Sequence, residues 1–251
     1  MAGHSKWAQI KRQKAVVDAR RGQLFGKLAR DIAVAARQGG SGDPALNFRL
    51  RLAVQKAREA NMPNDNIERA IKRGVGEGGA SELQEVAYEG YGPGGVAILV
   101  QALTDNRNRT VADVRTAFSR HGGNLGEAGC VAWQFSQKGQ VTVPPGAGDP
   151  DEIGLLAIDL GAEDFKVDTD GSMEIITAPE NLESVRDGFA AAGIHIDDAD
   201  LVMHPSQTIR IDARDADTLL RLFDRLDELD DVQRVYSNAD IPEEVLAAAG
   251  V

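Results

Sequence analysis

The chain carries one cysteine, Cys130, so no internal disulfide can form, and this usage fits a reducing compartment. Long apolar runs are missing too. No stretch of about 18 apolar residues occurs, which excludes a membrane-spanning helix. The opening MAGHSKW lacks the apolar segment of a secretory signal, so the expectation is a cytoplasmic protein with no membrane partner. Four histidines, at 4, 121, 195 and 204, keep no metal-ligand spacing with Cys130. There is no Walker loop, dinucleotide fingerprint, nucleophile elbow or zinc pattern. Nothing therefore argues for an enzyme, a cofactor or a metal.

Acidic residues are scarce at one end only. Residues 1–75 hold 16 Lys+Arg against 6 Asp+Glu, whereas residues 76–251 hold 12 against 33. The overall charge of −11 thus averages a basic head and an acidic body. At the tip, Lys6, Lys11, Arg12, Lys14, Arg20, Arg21, Lys27 and Arg30 face a single acid, Asp18, within the first thirty residues. Such polarity points to a polyanion, and nucleic acid is the usual one. The acidic body would repel phosphate while the head attracts it, which orients the molecule.

The head reads as helical over 5–73. Leu24, Leu28 and Ile32 recur at helical spacing, and Gly39-Gly40 ends that helix. Asp43-Pro44 is expected to open the next one, with Asp43 as N-cap and Leu46, Leu50, Ala53 and Ala57 as its apolar face. Pro63 forces a stop near Asn61, and Asn64 or Asp65 caps a last helix through Ile67 and Ile71. No clear turn-joined helix pair presents base-reading side chains. Gly74 to Gly79 reads as a linker.

Beyond it the period changes. Strands are expected at 95–103, 131–135, 140–143, 164–167, 173–176, 194–203, 207–211 and 232–236. Helices are expected at 111–121, 151–160, 179–192 and 215–229. The block 139–204 spells β-α-β-β-α-β, the ferredoxin-like pattern. The flanking β-α-β pieces, 95–136 and 207–236, make a second such unit around it. The expectation is an α+β protein of three domains: a helical basic domain over 1–78, a split α/β domain over 79–136 and 206–251, and an inserted α/β domain over 137–205.

Each motif has a plain counterpart. In the opening segment, cations engage phosphates and Trp7 can stack on a base; the alternative is a solvated helix with Trp7 as a core anchor. Arg107, Asn108 and Arg109 sit at a helix start, where they can contact phosphate or base edges. Equally, Asn106 or Asn108 caps the helix and the arginines pair with the acidic body. His121 to Gly126 reads as a helix stop, Asp168 to Gly171 as a hairpin turn rather than a calcium loop, and Cys130 as a small buried hydrophobe. The acidic run Asp224 to Asp231 reads as a solvated helix face.

Four stretches together are specific. They are MAGHSKWAQIKRQKAVVDARRGQLFGKLARDI, Ala60 to Gly74, Tyr88 to Gly95 and Leu103 to Thr110, and in all four the chain closely resembles the YebC/PmpR family. That family includes the mitochondrial translational activator of cytochrome oxidase subunit one. The resemblance implies three domains and a non-enzymatic regulator of gene expression. Bacterial members are mostly labelled DNA-binding transcriptional regulators, and others act on translation at the ribosome. The expected partners are therefore DNA or ribosomal RNA, and the expected contacts are Lys6, Trp7, Lys11, Arg12, Lys14, Arg20, Arg21, Lys27, Arg107, Asn108 and Arg109. The class-distinct alternative is a ferredoxin-like sensor of small molecules; a magnesium nuclease would need clustered carboxylates.

Overall fold

A computed structural model of the chain describes residues 18–76 and 83–241. They fall into two compact units, one of Met1–Gln134 with Gln207–Val251 and one of Phe135–Ser206. In chain order the elements are α1 (Asp18–Gln38), α2 (Phe48–Glu59), α3 (Asn64–Gly74), β1 (Gln84–Tyr91), β2 (Ala97–Thr104), α4 (Arg107–Arg120) and β3 (Asn124–Leu125). There follow β4 (Phe135–Val143), α5 (Pro150–Asp159), β5 (Ala162–Val167), β6 (Met173–Thr177), α6 (Leu182–Ala191) and β7 (Asp198–Pro205). The chain closes with β8 (Ile209–Arg210), α7 (Ala213–Asp227), β9 (Val232–Ser237) and β10 (Ala239–Asp240). The architecture is α+β, with a helical N-terminal region.

Helices α1 to α3 share a core of Ile32, Ala35, Ala36, Leu50, Val54, Ala57, Met62, Ile67 and Ala70. Helix α1 stops where Gly40 takes a φ of 63°, a conformation that favours glycine. The second helix begins later than its sequence suggests. Asn47, not Asp43, caps it: the side-chain oxygen accepts from Leu50 N at 3.1 Å. The Asn47 amide also donates to Ala35 O at 2.7 Å and Ser41 O at 3.2 Å, joining the end of α1 to the start of α2. Asp43 instead closes a turn, accepting from Ala45 N and Leu46 N, and Leu46 is left 79% exposed rather than on an apolar face. Unlike an ionised Asp, Asn both accepts and donates, so it can serve the two helix ends at once. Helix α3 opens on the Pro63 carbonyl, with no side-chain cap from Asn64 or Asp65.

In the same unit, β1, β2, β3 and β9 form an antiparallel sheet in the order β3-β1-β2-β9. Helices α4 and α7 cover one face, burying Val114, Phe118, Leu219, Leu222, Phe223 and Leu226 against Ile98, Val100 and Val235. This layer arrangement matches the expected one, but three of its strands differ. Strand β1 is absent from the sequence-read set because Gln84–Tyr91 carries polar residues and Gly90 rather than a β-branched run. Gly90 is required there: a Cβ would stand 2.6 Å from Asn124 O and 2.7 Å from the Phe118 ring. Residues 131–135 give no strand to this sheet. Ala132–Gln134 is a 3-10 turn, and Phe135 opens β4 in the other unit. Of 207–211 only β8 pairs, and it does so in parallel with β10 in a separate two-stranded sheet. Asn238 directs that pairing. Its carbonyl accepts from Ile209 N at 2.8 Å while its side chain accepts from Ala97 N at 2.8 Å.

The second unit runs β4-α5-β5-β6-α6-β7, with antiparallel strands in the order β5-β6-β4-β7. This is the ferredoxin-like pattern read at 139–204. Asp149 caps α5 ahead of Pro150, and Asp168 to Gly171 makes the hairpin turn, with Gly171 at φ 84°.

Candidate nucleic-acid interface

Of the eleven expected contact residues, Lys6, Trp7, Lys11, Arg12 and Lys14 lie outside the described residues. Arg20 and Arg21 lie on α1. Lys27 is half-buried, and its Nζ donates to the Asp227 carbonyl at 2.7 Å. One turn further on, Arg30 donates to the Asp230 carbonyl and approaches Asp231 Oδ1 at 3.9 Å. The acidic run at the end of α7 is therefore not only a solvated face. It receives two cations of the head, because orphan carbonyls at a helix C-terminus are natural partners for lysine and arginine.

The loop at the start of α4 resolves into caps and contacts. Asn106 is the N-cap, its side chain accepting from Arg109 N at 3.1 Å. The Arg109 guanidinium reaches Asp105 at 2.9 Å and Asp231 at 2.6 Å. Asp231 is 9% exposed and also accepts from Thr104 at 3.1 Å and Thr110 at 2.8 Å. Burial pushes its carboxyl up, but the bonds from Arg109, Thr110 and Thr104 outweigh that and hold it below the usual carboxylate range. Those bonds to Asp105 and Asp231 also raise the Arg109 guanidinium above its ordinary value. Arg109, though half-exposed, is thus engaged by two carboxylates of the fold, and Arg107 and Asn108 beside it are exposed at the helix N-terminus. The capping alternative describes Arg109 and the contact alternative stays open for its two neighbours.

Helices α2 and α3 are joined by the short turn Ala60 to Pro63, where Asn61 takes a φ of 58°. The two helices and the stop between them lie where the sequence places them, and Asn61 makes the left-handed step that a glycine would usually supply. The second helix exposes Asn64, Arg69, Lys72 and Arg73, and α2 adds Arg58. Lys72 and Arg73 occupy the last turn of α3, a favourable place for cations.

A second built feature escaped the sequence. Glu89, 6% exposed in β1, accepts backbone N–H bonds from Gly129 at 2.7 Å, Val131 at 2.8 Å and Ala132 at 2.7 Å. Burial raises its carboxyl, but the three bonds prevail and hold it below its ordinary value. The segment 126–134 is thereby clamped to the sheet edge, and Trp133 is left 75% exposed on it. A glutamate between Tyr88 and Gly90 is the only sequence sign of this clamp. Cys130 within it is half-buried, and burial and the nearby Glu89 push its thiol up, away from reactivity. The turn before the clamp is a helix stop as expected, with Gly122 at φ 70° and His121 Nδ1 2.8 Å from Ala117 O. Among the described residues no group of three or more His, Cys, Asp and Glu is placed to hold a metal ion, and no helix is long and apolar enough to cross a membrane.

Comparison with known proteins covers nearly the whole chain. The family profile described as "TACO1/YebC protein N-terminal domain" matches residues 5–77, and "TACO1/YebC second and third domain" matches residues 83–239. A "Probable transcriptional regulatory protein" of Chloroflexus aggregans is 55% identical over 248 residues, 98% of each chain. A protein of the same description from Pelotomaculum thermopropionicum is 52% identical over 245 residues, 97% of this chain and 100% of that one. Among solved structures, a conserved hypothetical protein from Aquifex aeolicus superposes with a TM-score of 0.83 at 47% identity, covering 91% of this chain and 94% of its own.

Proposed function

This chain belongs to the TACO1/YebC family, and on that footing we propose that it is a non-enzymatic regulator of gene expression that grips the phosphate backbone of a nucleic acid with its helical region. One observation carries the reading: the opposition of a cationic region of 1–75 to an acidic remainder. The fold adds a physical reason. Lys27 and Arg30 are taken up by the 227–231 segment, whereas Arg58, Arg69, Lys72 and Arg73 of α2 and α3 are among the cations left exposed. Lys6, Trp7, Lys11, Arg12, Lys14, Arg20 and Arg21 are the further contacts proposed from the sequence, and Arg107 and Asn108 supply a second one. Lys27 and Arg109 serve mainly to position it.

The names of the relatives point to transcription, and so to DNA. A body this acidic also suits a crowded ribosomal surface, where RNA shape and phosphates are read. Titration of duplex DNA and of large ribosomal subunits across a salt series separates the two. With about five phosphates neutralised, the log–log slope is about −4.5 on duplex DNA and about −3.5 on single strands. Replacing Lys11, Arg12 and Lys14 with Ala flattens the slope by about two to three units. Binding to neither target, or an unchanged slope in the triple variant, refutes the reading.

A further inference from the structure

We infer that Trp133, backed by Tyr91, is a stacking site for an unpaired nucleobase. The proposal rests on the nucleic-acid reading above and adds a contact to bases, where the cationic helices contact phosphates.

The Trp133 ring is held at its polar end. Trp133 Nε1 donates to the Cys130 carbonyl at 3.1 Å, and the Tyr91 hydroxyl donates to the same carbonyl at 3.0 Å. Two aromatic side chains thus converge on one acceptor with their polar ends satisfied inside the protein. With those polar ends engaged, Trp133 remains 75% exposed and Tyr91 40% exposed as residues. A tryptophan is seldom left so exposed, since its indole is among the largest apolar surfaces a side chain offers.

The segment beneath it is rigid. The three backbone bonds to Glu89 tie down residues 129, 131 and 132, and Val131 is wholly buried. Gln134 continues the anchoring, accepting from the Asn238 side chain at 3.1 Å while its N–H donates to Val131 O at 2.9 Å. Gly129 at φ 89° makes the bend, and Gly126 leaves room for Cys130, whose Sγ would lie 2.5 Å from a Cβ there. A buried charged clamp, a buried valine and two glycines hold one ring outward. Such preorganisation lowers the entropy lost on binding.

The surroundings select the occupant. Gly126, Ala128 and Gly129 of the same clamped segment are exposed and carry no bulk. Glu127, also exposed, disfavours a phosphate at this place and turns the base, rather than the backbone, toward the ring. A stable protein partner would need about 800 Å² per side with an apolar centre. Of the exposed large hydrophobic residues, only Tyr91 shares the Trp133 anchor. Two rings with a small-residue rim fit one base and not a protein interface. Aromatic stacking of this kind tolerates every base, because each has a π-face.

The test uses the full chain carrying 5-fluorotryptophan. The sequence has two tryptophans, so the ¹⁹F resonance missing from Trp133→Phe identifies Trp133. The probes are mixed-sequence 12-nucleotide single strands of RNA and of DNA, the same-length duplex, and an abasic oligomer with equal phosphates; polarisation follows total binding of each. The Trp133 resonance is expected to shift saturably with single strands and to stay in place with the duplex and the abasic oligomer. Trp133→Ala, which leaves the far-ultraviolet dichroism unchanged, weakens single-strand binding about tenfold, and Trp133→Phe retains most of it. An unmoved resonance while polarisation reports normal single-strand binding overturns the stacking site and leaves the phosphate-gripping function standing. Equal shifts with the abasic oligomer also overturn it. Absence of binding by all four probes overturns both.

Discussion

Asp231 ties three parts of the first unit together, and its removal measures that tie. The carboxylate is 9% exposed and accepts from Thr104, Thr110 and Arg109, with Arg30 of α1 at 3.9 Å. Its own carbonyl accepts from Leu103 N at 2.8 Å, so the backbone bond survives substitution. Hydrogen bonds to a charged acceptor contribute about 1.5–3 kcal/mol each. Two discounts apply. Arg109 is half-exposed and keeps Asp105, so water screens its share, and Thr110 keeps the Asn106 carbonyl at 3.0 Å. Asp231→Ala is therefore expected to cost about 2–3 kcal/mol, from two buried hydroxyls losing an anionic acceptor. At roughly 2–4 °C per kcal/mol, the melting temperature falls by about 4–12 °C. The pH dependence has a definite sign. The native carboxyl lies below its ordinary 3.8, so its contribution is present above that pH and is lost as pH falls through the lower native value. The difference between wild type and Asp231→Asn should be constant near neutrality and shrink below about pH 4. Urea unfolding at pH 7 and at pH 3 reads both. A loss under about 0.5 kcal/mol for Asp231→Ala would refute the reasoning, since surface substitutions do as much.

Glu89→Gln sets an amide N–H₂ against backbone N–H donors, and the amides of Gly129, Val131 and Ala132 should exchange roughly 30-fold faster, about 2 kcal/mol, by hydrogen exchange. Arg107→Ala should leave the melting temperature unchanged and lower the salt slope of nucleic-acid binding by about one unit; Arg109→Ala should lower the melting temperature and raise the carboxyl of Asp231 toward its ordinary value. The opposite pattern, with Arg109 alone altering binding, would reverse their assignment. Asn47→Ala should cost about 2 kcal/mol in urea unfolding, from a lost cap and the lost amide bonds to the Ala35 and Ser41 carbonyls, although Ala35 O keeps the Gly39 N–H at 3.1 Å; Asn47→Asp keeps the cap but loses the donor and should also destabilise.

The ferredoxin-like unit was legible in the sequence because each of its elements is written in local terms: Asp149-Pro150 before a helix, Asp-Thr-Asp-Gly between two strands, and a contiguous order of six elements. The opposition of charge between the two ends was equally plain, as was the helical character of 18–74. Tertiary structure decided the rest. Strand β1 is a strand because Gly90 lets Phe118 and Asn124 close on it, and no β-branched run announces that. The start of α2 moved from Asp43 to Asn47 because only Asn47 also serves the end of α1. Lys27 turned from a free cation into a docked one through a carbonyl 200 residues away in the chain. Glu89 found its partners 40 to 43 positions away, when its buried carboxylate gathered the amides of a distant loop. Caps, turns and periodicity act over a few residues and are therefore written in order along the chain. The partner of a buried charge is whichever group folding brings within about 3 Å, and that is a property of space rather than of sequence.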